Sequence, residues 1–285
     1  MAKLTDFRGL RPTWCPGCGN FAVLTAMQRA AADVGLEPHT TGIISGIGCS
    51  GKMSSYFRAY GMHVVHGRAL PVALGVKLAN RDLTVIAAGG DGDGYAIGAS
   101  HFVHALRRNL DLTYIVMDNS IYALTKGQHS PTSRLGFLSK TTPQGTIEQP
   151  IRPLELALAA GGTFVAQGFS GDVDHLTGLV KQALQHNGFS FINVFSPCIT
   201  WHRERTYEWY RENTVYVEDD EDYDEQDRTT AINKIMETNG LVLGVLYQTE
   251  GPSYEDLVPG LKESPIALQE LAFKRDDFEK IMAEF

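Results

Sequence analysis

The sequence has few cysteines, no long apolar run and no excess of positive charge. Its four cysteines are too few for a disulfide-stabilised scaffold in a chain of 285 residues, but four thiolates make one complete metal-coordination set. No window approaches the ~18 consecutive apolar residues of a membrane-spanning helix. The first residues also lack the apolar core of a signal peptide. These absences predict that no segment enters a membrane, and we expect a cytoplasmic location.

Charge and size narrow the class of protein further. The sequence has 33 acidic and 25 basic residues, a net charge of −8, and the basic residues are scattered along it. A broad positive field for nucleic acid or anionic lipid is therefore not expected. The chain is 43% apolar, enough for one large core and a small appended unit, so we expect a globular protein.

Apolar patterns with helix and strand spacing alternate along most of the chain. A helix is predicted from Asn20, as its N-cap, to Gly35. Residues 83–88 have the pattern of a buried strand, 95–108 of a helix and 112–118 of a second strand, which together predict a right-handed βαβ unit. The alternation continues in further segments, with a β-like run ending in glycines at 41–51, strands near 163–169 and 189–195, and helices near 68–80, 153–161 and 172–186.

This order of elements predicts an α/β fold, with a mostly parallel sheet and helices on both of its faces. We expect that fold within a domain of residues 1–205. Residues 206–285 are expected to form a C-terminal extension that is irregular apart from a terminal helix. The acidic run at 217–227 has the composition of a solvated loop.

A loop rich in glycine and aspartate, GGDGDGYAIG at 89–98, follows the first strand of the βαβ unit. Open α/β sheets bind ligands where their strands end, and glycines let the backbone approach an anion. The loop is not the dinucleotide fingerprint, because Tyr95 stands where that motif needs glycine. Two aspartates would also repel a bare diphosphate. Magnesium removes this conflict if Asp91 binds it together with Asn119, which follows the strand at 112–118.

The GDG sequence followed at this distance by Asn119 resembles the diphosphate-binding motif of thiamine diphosphate enzymes. The resemblance implies that Asp91, Asn119 and the carbonyl oxygen of Ile121 bind Mg²⁺. It also implies that three residues of the loop line the diphosphate: Gly90, Gly92 and Asp93.

The upstream segment HGRALPVALGVKLAN resembles the part of those enzymes that supports the thiazolium ring. This resemblance places His66, Gly67 and Arg68 beside the cofactor, with His66 and Arg68 as candidate catalytic residues. An ordinary core or surface histidine is the competing interpretation of His66. We assign six further residues of the neighbouring motifs to the cofactor site: Ile47, Gly48, Ser50, Ala123, Leu124 and Thr125.

The motif WCPGCGN at 14–20 can be interpreted in three ways. A redox disulfide needs only Cys15 and Cys18, and would leave Cys49 and Cys198 unexplained. A zinc site more typically pairs two CxxC motifs, whereas the other two cysteines stand alone. A [4Fe–4S] cluster tolerates such scattered ligands, and beside thiamine chemistry it would provide an exit for electrons. Structural thiols remain a further alternative.

Six motifs together resemble the β subunit of the 2-oxoacid:ferredoxin oxidoreductases: WCPGCGNF, SGIGCSG, HGRALPVALGVKLAN, GDGDGYAIG, DNSIYALTKGQ and SPCITW. The resemblance covers residues 11–205 and implies that Cys15, Cys18, Cys49 and Cys198 hold a [4Fe–4S] cluster. It further implies a reversible oxidative decarboxylation of a 2-oxoacid. In that reaction coenzyme A takes the acyl group, and two electrons leave singly through the cluster to ferredoxin.

One expected part is absent from the motifs. Enzymes of this kind activate the cofactor with a glutamate on a separate pyrimidine-binding domain, and the chain has no room for such a domain. We therefore expect a partner α subunit and an α2β2 assembly. Two alternatives stay open from the sequence: a non-redox thiamine decarboxylase or lyase subunit with structural zinc, and a non-enzymatic zinc-stabilised module that binds a nucleotide.

The substrate is predicted from two lysines. A 2-oxoglutarate molecule carries a second carboxylate, which needs a cation when it leaves water. Lys52 follows Cys49 closely, and Lys126 follows the expected magnesium loop, so both are candidates for that contact. We favour 2-oxoglutarate over pyruvate or a broad range of 2-oxoacids, although exposed lysines, or one that meets coenzyme A, would explain the same residues.

Overall fold

An eight-stranded sheet forms the centre of the fold. The computed structural model describes residues 2–269 and 275–284, so residues 1, 270–274 and 285 of the two predicted domains lie outside the described residues. The strands are β1 Thr41–Ser45, β2 Tyr60–His63, β3 Thr84–Gly90, β4 Leu112–Asp118, β5 Ile121–Tyr122, β6 Gln128–His129, β7 Phe164–Phe169, β8 Phe189–Phe195, β9 Val215–Tyr216 and β10 Val242–Gln248. The helices are α1 Asn20–Asp33, α2 Met53–Tyr56, α3 Ala69–Ala79, α4 Ala99–Arg108, α5 Pro153–Ala159, α6 Val173–Gln185, α7 Tyr207–Asn213, α8 Arg228–Glu237, α9 Tyr254–Leu257, α10 Pro259–Glu263 and α11 Arg275–Ala283.

The strands of the main sheet lie in the order β2-β1-β3-β4-β8-β7-β10-β9, and β5 pairs with β6 in a separate ribbon. Each neighbouring pair in the main sheet is parallel except β7 and β10. The central strands β4 and β8 are buried along their whole length, as expected for parallel strands covered on both faces. The predicted α/β fold is thereby confirmed.

Two apolar layers cover the sheet. On one face, α1 and α6 pack against it through side chains such as Met27 and Val180. On the other face, α3, α4 and α5 do so through side chains such as Leu70, Phe102 and Leu158. These layers fix the directions of the strands, and so fix where the loops after them meet.

The order of strands reverses between β1 and β3. From β1 the chain moves outward to β2, and after returning at β3 it builds the rest of the sheet on the other side. Ser45 lies opposite Ala88, so the loops that follow β1 and β3 leave the sheet at the same edge. A reversal of this kind leaves a crevice beyond the carboxyl ends of the strands, where α/β proteins bind ligands.

The predicted elements are found, with local corrections. Helix α1 begins at Asn20, so Asn20 is not its N-cap, and the Asn20 Oδ1 instead accepts a hydrogen bond of 2.8 Å from Ser196 Oγ. Gly35 follows the end of that helix with a positive φ of 77°, as its predicted role requires. The helix predicted over 95–108 is α-helical only from Ala99.

A π-helical turn at Asp93–Ile97 precedes α4. Glycine is required where the turn closes, because a Cβ on Gly98 would lie 2.5 Å from the carbonyl oxygen of Asp93. Insertions of this type often occur at functional sites. The sequence pattern does not separate the π turn from the helix, because both have apolar residues at nearly the same spacing.

The expectation of an irregular segment after residue 205 is wrong, because α7, α8 and β10 lie there. Strand β10 is buried over most of its length and pairs antiparallel with β7. The acidic run 217–227 is largely exposed, as predicted, but Tyr223 ties it to the sheet by donating a hydrogen bond of 2.6 Å to the carbonyl oxygen of Leu246. The described part of the terminal helix is α11. The domain boundary at residue 205 stays a prediction. No helix within 2–269 or 275–284 is long and apolar enough to cross a membrane.

Candidate active site

Four loops meet at the carboxyl edge of the sheet, after β1, β3, β4 and β8. The register aligns their strand ends, with Gly90 opposite Met117 and Asp118 opposite Phe195. Two cavities open there. We call them the cofactor cavity and the cysteine cavity, with volumes of about 280 Å³ and about 180 Å³.

The cofactor cavity is lined by most of the residues that the sequence assigned to the cofactor. The predicted residues among its lining are Ile47, Gly48, Ser50, His66, Gly90, Asp91, Gly92, Asp93, Asn119, Ile121, Ala123, Leu124 and Thr125. Four further lining residues were not assigned to the cofactor: Asn20, Cys49, Met117 and Tyr122. Residues that are scattered over more than a hundred positions of the sequence therefore form one wall.

Asp91 is buried, and its carboxylate is held by two hydroxyl groups. Ser130 Oγ and Thr132 Oγ1 both donate to Asp91 Oδ2, the second over 2.9 Å. Thr132 Oγ1 also lies 2.8 Å from Asp118 Oδ1, so two buried carboxyl groups share one hydroxyl. Burial, and then the neighbouring Asp118, raise the pKa of Asp91. A bound cation would relieve this accumulation of negative charge.

Asn119 and Ile121 lie on the other side of the same cavity. The backbone N–H of Ile121 donates a hydrogen bond of 3.1 Å to Asn119 Oδ1, which fixes the direction of the amide. Ser120 between them has a positive φ of 57°, which turns the chain sharply at this point. An amide oxygen has two lone pairs, so Asn119 Oδ1 retains capacity for a second partner.

Asp93 also lines the cofactor cavity, but its carboxylate is engaged by the protein. Oδ1 accepts hydrogen bonds from the backbone N–H groups of Ile47 and Gly67 at 2.9 Å and 2.8 Å. The other carboxylate oxygen packs against Gly46, where a Cβ would collide with it. The carboxylate therefore joins the loop after β1 to the segment that precedes α3.

Tyr122 is a lining residue that the sequence reasoning missed. Its hydroxyl donates a hydrogen bond of 3.1 Å to the carbonyl oxygen of Gly92, and its ring fills the space where a Cβ on residue 92 would lie. Glycine at position 92 is thus required by the aromatic side chain across the cavity. The position of Tyr122, three residues after Asn119, is the only sequence indication of this role.

The four cysteines line one cavity. Cys15 is exposed, Cys198 is buried, and all four thiols are free. Burial, together with repulsion from the other three thiolates, raises the pKa of Cys18 to about 12, and burial also raises that of Cys49. Within 2–269 and 275–284 no three Cys, His, Asp or Glu side chains converge tightly enough to hold a single metal ion.

Trp14 connects two of the cysteine-bearing segments and was not assigned a role from the sequence. Its indole Nε1 donates to the carbonyl oxygen of Cys49, and the ring lines the cysteine cavity. Lys52 lines the same cavity, with Nζ 3.3 Å from Thr13 Oγ1.

The two cavities share a wall. Cys49, Asn119, Ala123 and Leu124 line both of them. A group bound in one cavity would therefore be separated from a group bound in the other by a single layer of side chains.

Three predicted residues line neither cavity. Gly67 lies behind Asp93, to which it donates its N–H, and Arg68 Nη1 lies 3.3 Å from the carbonyl oxygen of Ile97. Lys126 is exposed and has a positive φ of 81°. The structure thus brings together most of the predicted cofactor residues and all four cysteines, and it separates the two lysines.

The parallel sheet with glycine and acid loops at its switch point is the architecture of a thiamine diphosphate-binding domain. Residues 46–194 match the family model of the thiamine pyrophosphate enzyme C-terminal TPP binding domain. Residues 198–263 match the model of the C-terminal part of the pyruvate ferredoxin oxidoreductase β subunit.

Similar proteins define the family more narrowly. The chain is 42% identical to the 2-oxoacid:ferredoxin oxidoreductase subunit β of Saccharolobus solfataricus, over 95% of each chain. It is 44% identical to the 2-oxoglutarate synthase subunit KorB of Archaeoglobus fulgidus, over 67% of this chain and 71% of KorB. A 2-oxoglutarate:ferredoxin oxidoreductase from Magnetococcus marinus, solved with 2-oxoglutarate, coenzyme A and succinyl-CoA bound, superposes with a TM-score of 0.91 at 40% identity, covering 99% of this chain and 96% of that one.

The chain belongs to the β subunits of the 2-oxoacid:ferredoxin oxidoreductases. The family resemblance and the enzyme class predicted from the sequence are confirmed, and a β subunit implies an α partner. The two alternatives, a non-redox thiamine enzyme and a nucleotide-binding zinc module, are not favoured by these relatives.

Proposed function

We propose that the chain, with its α partner, catalyses the reversible, coenzyme A-dependent oxidative decarboxylation of a 2-oxoacid to acyl-CoA and carbon dioxide, and passes the electrons to ferredoxin. The observation that carries this proposal is the wall shared by the cofactor and cysteine cavities. It would place an organic cofactor next to an electron acceptor, as a reaction that releases electrons one at a time requires.

The cofactor cavity fits thiamine diphosphate with Mg²⁺. Asp91, Asn119 and the Ile121 carbonyl would supply the hard oxygen ligands that Mg²⁺ prefers, and the cation would offset negative charge on the buried pair of Asp91 and Asp118. Gly90 and Gly92 would line the diphosphate. Ser130 and Thr132 would orient the Asp91 carboxylate from behind.

The cysteine cavity fits a [4Fe–4S] cluster. Cys15, Cys18, Cys49 and Cys198 are four free thiols facing one space, the number of ligands that such a cluster needs. Because burial raises the pKa of Cys18 and Cys49, these thiols would lose their protons when the cluster binds.

When bound, thiamine diphosphate supplies the carbon nucleophile for the 2-oxoacid carbonyl, and the cluster accepts the electrons singly. The chain's own residues hold and enclose these groups. The Asp93 carboxylate fixes the loops on either side of the cavity. His66 lines the cavity as a candidate catalytic residue, and Arg68, the other candidate, is hydrogen-bonded to the backbone at Ile97.

The partner α subunit would complete the cofactor site with the activating glutamate. Apolar side chains are exposed at the mouth of the cavity, with Ile47 37% and Leu124 51% accessible, and Ile97 nearby is 51% accessible. Such a surface suits coverage by another subunit. We propose an α2β2 complex in the cytoplasm.

The proposed substrate is 2-oxoglutarate. The Archaeoglobus fulgidus relative is named a 2-oxoglutarate synthase subunit, and the Magnetococcus marinus structure holds 2-oxoglutarate. Lys52 lies in the cysteine cavity, next to the shared wall, where a cation could meet a distal carboxylate. Lys126 is proposed as a second candidate for this contact from its position after the cofactor loop.

An absorption spectrum with metal analysis tests the proposal. The α/β complex, purified without oxygen, should show a broad shoulder at about 400 nm, with iron and sulfide in equal amounts. It should also contain thiamine diphosphate and reduce ferredoxin only when both a 2-oxoacid and coenzyme A are present. A colourless complex that contains zinc would contradict the proposal.

A further inference from the structure

Asp93 accepts three hydrogen bonds on a single oxygen atom. The N–H groups of Ile47 and Gly67 both donate to Oδ1, at 2.9 Å and 2.8 Å, and His66 Nδ1 lies 2.9 Å from the same oxygen. The carboxylate side chain is only 1% exposed. Its position is therefore fixed by two backbone groups that cannot turn away.

This geometry determines which nitrogen of His66 carries a hydrogen. Because two N–H groups already point at Oδ1, that oxygen carries no proton and can only accept. Nδ1 must therefore donate to it. A neutral imidazole has one N–H, so a hydrogen on Nδ1 leaves Nε2 with a free lone pair.

The ring of His66 borders the cofactor cavity. His66 lines the cofactor cavity, its side chain is 37% exposed, and its ring lies edge-on to Tyr122 at 6.2 Å between centroids. Nε2 has no hydrogen-bond partner among the residues that the structure describes.

We infer that Asp93 is a positioning residue, which holds His66 in the Nδ1–H tautomer so that Nε2 faces the cofactor cavity as a hydrogen-bond acceptor. The inference rests on the proposed function, because it assigns Nε2 to a donor of the substrate or cofactor. The inference gives Asp93 a different role from the one predicted from the sequence. Its carboxylate acts through the imidazole of His66, and a contact with the diphosphate is not part of that role. Gly46 contributes to the same arrangement, because a glycine at this position leaves room for the Asp93 carboxylate.

The tautomer can be measured directly. In the full-length chain with ¹⁵N-labelled histidine at about pH 8.5, above the usual titration range of histidine, the His66 nitrogens should show the Nδ1–H pattern. Asp93→Ala should shift His66 toward the Nε2–H form that free imidazole groups prefer. Asp93→Asn should retain the Nδ1–H form, because the amide oxygen still accepts. His39, an exposed histidine with Nε2 3.3 Å from Glu37, serves as the internal control and should not change.

Two substitutions of His66 separate its two nitrogens. An Asn side chain can place an N–H near the position of Nδ1, and a Gln side chain can place an acceptor near that of Nε2. In the α/β complex, His66→Asn should keep the thermal midpoint close to that of the wild type and lower kcat by roughly tenfold, because the hydrogen-bond acceptor at Nε2 is lost. His66→Gln should lose stability but retain more of kcat.

The outcomes distinguish this inference from the proposed function. An Nε2–H signal for His66 in the wild type, or full activity in His66→Asn, would overturn the role of Asp93. A wild-type complex that binds no thiamine diphosphate would overturn the proposed function, and the tautomer measurement would still decide the geometry.

Discussion

Trp14 and Cys49 are joined by a hydrogen bond of 2.7 Å, from the indole Nε1 to the carbonyl oxygen. The indole is buried and packs edge-on against Tyr56 and Phe21, with ring centroids 4.8 Å and 5.3 Å away. Trp14 is adjacent to Cys15 in sequence, so this bond holds the CxxC segment against the loop after β1. Two of the proposed cluster ligands are thereby placed before any cluster binds.

Trp14→Phe should weaken the cluster without unfolding the chain, because a six-membered aromatic ring is kept, whereas the N–H is lost together with the five-membered ring that carries it. A hydrogen bond of this kind contributes about 1 kcal/mol, which corresponds to a roughly fivefold faster loss of iron to a chelator. The measurement is the decay of the cluster absorption under a fixed chelator concentration. Trp201→Phe is the matched control, because Trp201 lines the same cavity and is 39% exposed. Equal decay rates in both variants would contradict the role of the bond.

Asp91→Ala should abolish retention of thiamine diphosphate by the complex. Loss of a direct magnesium ligand should exceed the roughly 10- to 100-fold loss of affinity that substitutions behind a ligand produce. Cofactor bound after gel filtration, with and without added Mg²⁺, measures the effect. The control is Asp82→Ala, an exposed aspartate in the turn before β3. Stoichiometric cofactor in purified Asp91→Ala would show that this carboxylate does not hold the metal.

Cys198→Ala should leave the cluster absent or incomplete. The Cys198 side chain is buried beside Ile121 and Phe137, so no water-exposed ligand can replace it easily. Iron and sulfide per complex should fall to less than about half, and ferredoxin reduction should be lost with them. Thr200→Ala, at an exposed position on the same cavity, should retain both. Normal iron content in Cys198→Ala would exclude the four-cysteine ligand set.

The positions of the proposed ligands were predictable because parallel strands align their carboxyl ends. Asp91 and Asn119 each follow a largely buried strand, and the register places those strand ends side by side. The glycines of the loop 89–98 were also explained from the sequence, because glycine lets the backbone approach an anion. Cys198 follows β8, next to β4 in the sheet, so the same alignment brings it to this edge.

Other features depend on contacts that no local pattern contains. The apolar run of β10 is visible in the sequence, but its antiparallel pairing with β7 results from a long connection. Ser130 and Thr132 lie in a segment without periodicity, so their contacts with Asp91 could not be anticipated. The hydrogen bonds that Asp93 accepts from the backbone at Ile47 and Gly67 could not be anticipated either, because the spacing of residues does not show which backbone groups turn toward a carboxylate.

His186 should make stability depend on pH. Its Nε2 lies 2.9 Å from Thr163 Oγ1, whose own hydrogen goes to Asn109 Oδ1, so the histidine must donate through Nε2. Burial lowers the pKa of His186 below its ordinary value of 6.5. The folded state therefore binds fewer protons than the unfolded state just below that value, and stability is lost as the pH falls through it.

His186→Gln removes the titrating group and can keep the donor to Thr163. The thermal midpoint of the complex, measured from about pH 8 to about pH 5, should fall less in this variant than in the wild type. His39→Gln, at an exposed position, should follow the wild type. Parallel curves for the wild type and His186→Gln would show that burial does not lower the pKa of this histidine.

The contribution of the two lysines to substrate choice can be separated by comparing two acids. Lys52 lies beside the shared wall of the cavities, whereas Lys126 is exposed outside both, so the structure favours Lys52 for the distal carboxylate of 2-oxoglutarate. A hydrogen bond between charged groups contributes about 1.5–3 kcal/mol, so Lys52→Ala should lower kcat/KM for 2-oxoglutarate by roughly 10- to 100-fold more than for pyruvate. Lys126→Ala should show a smaller difference, and Lys140→Ala, at an exposed loop position, none. Equal losses for both acids in Lys52→Ala, or a wild-type preference for pyruvate, would exclude the contact, because only the longer acid carries the second carboxylate.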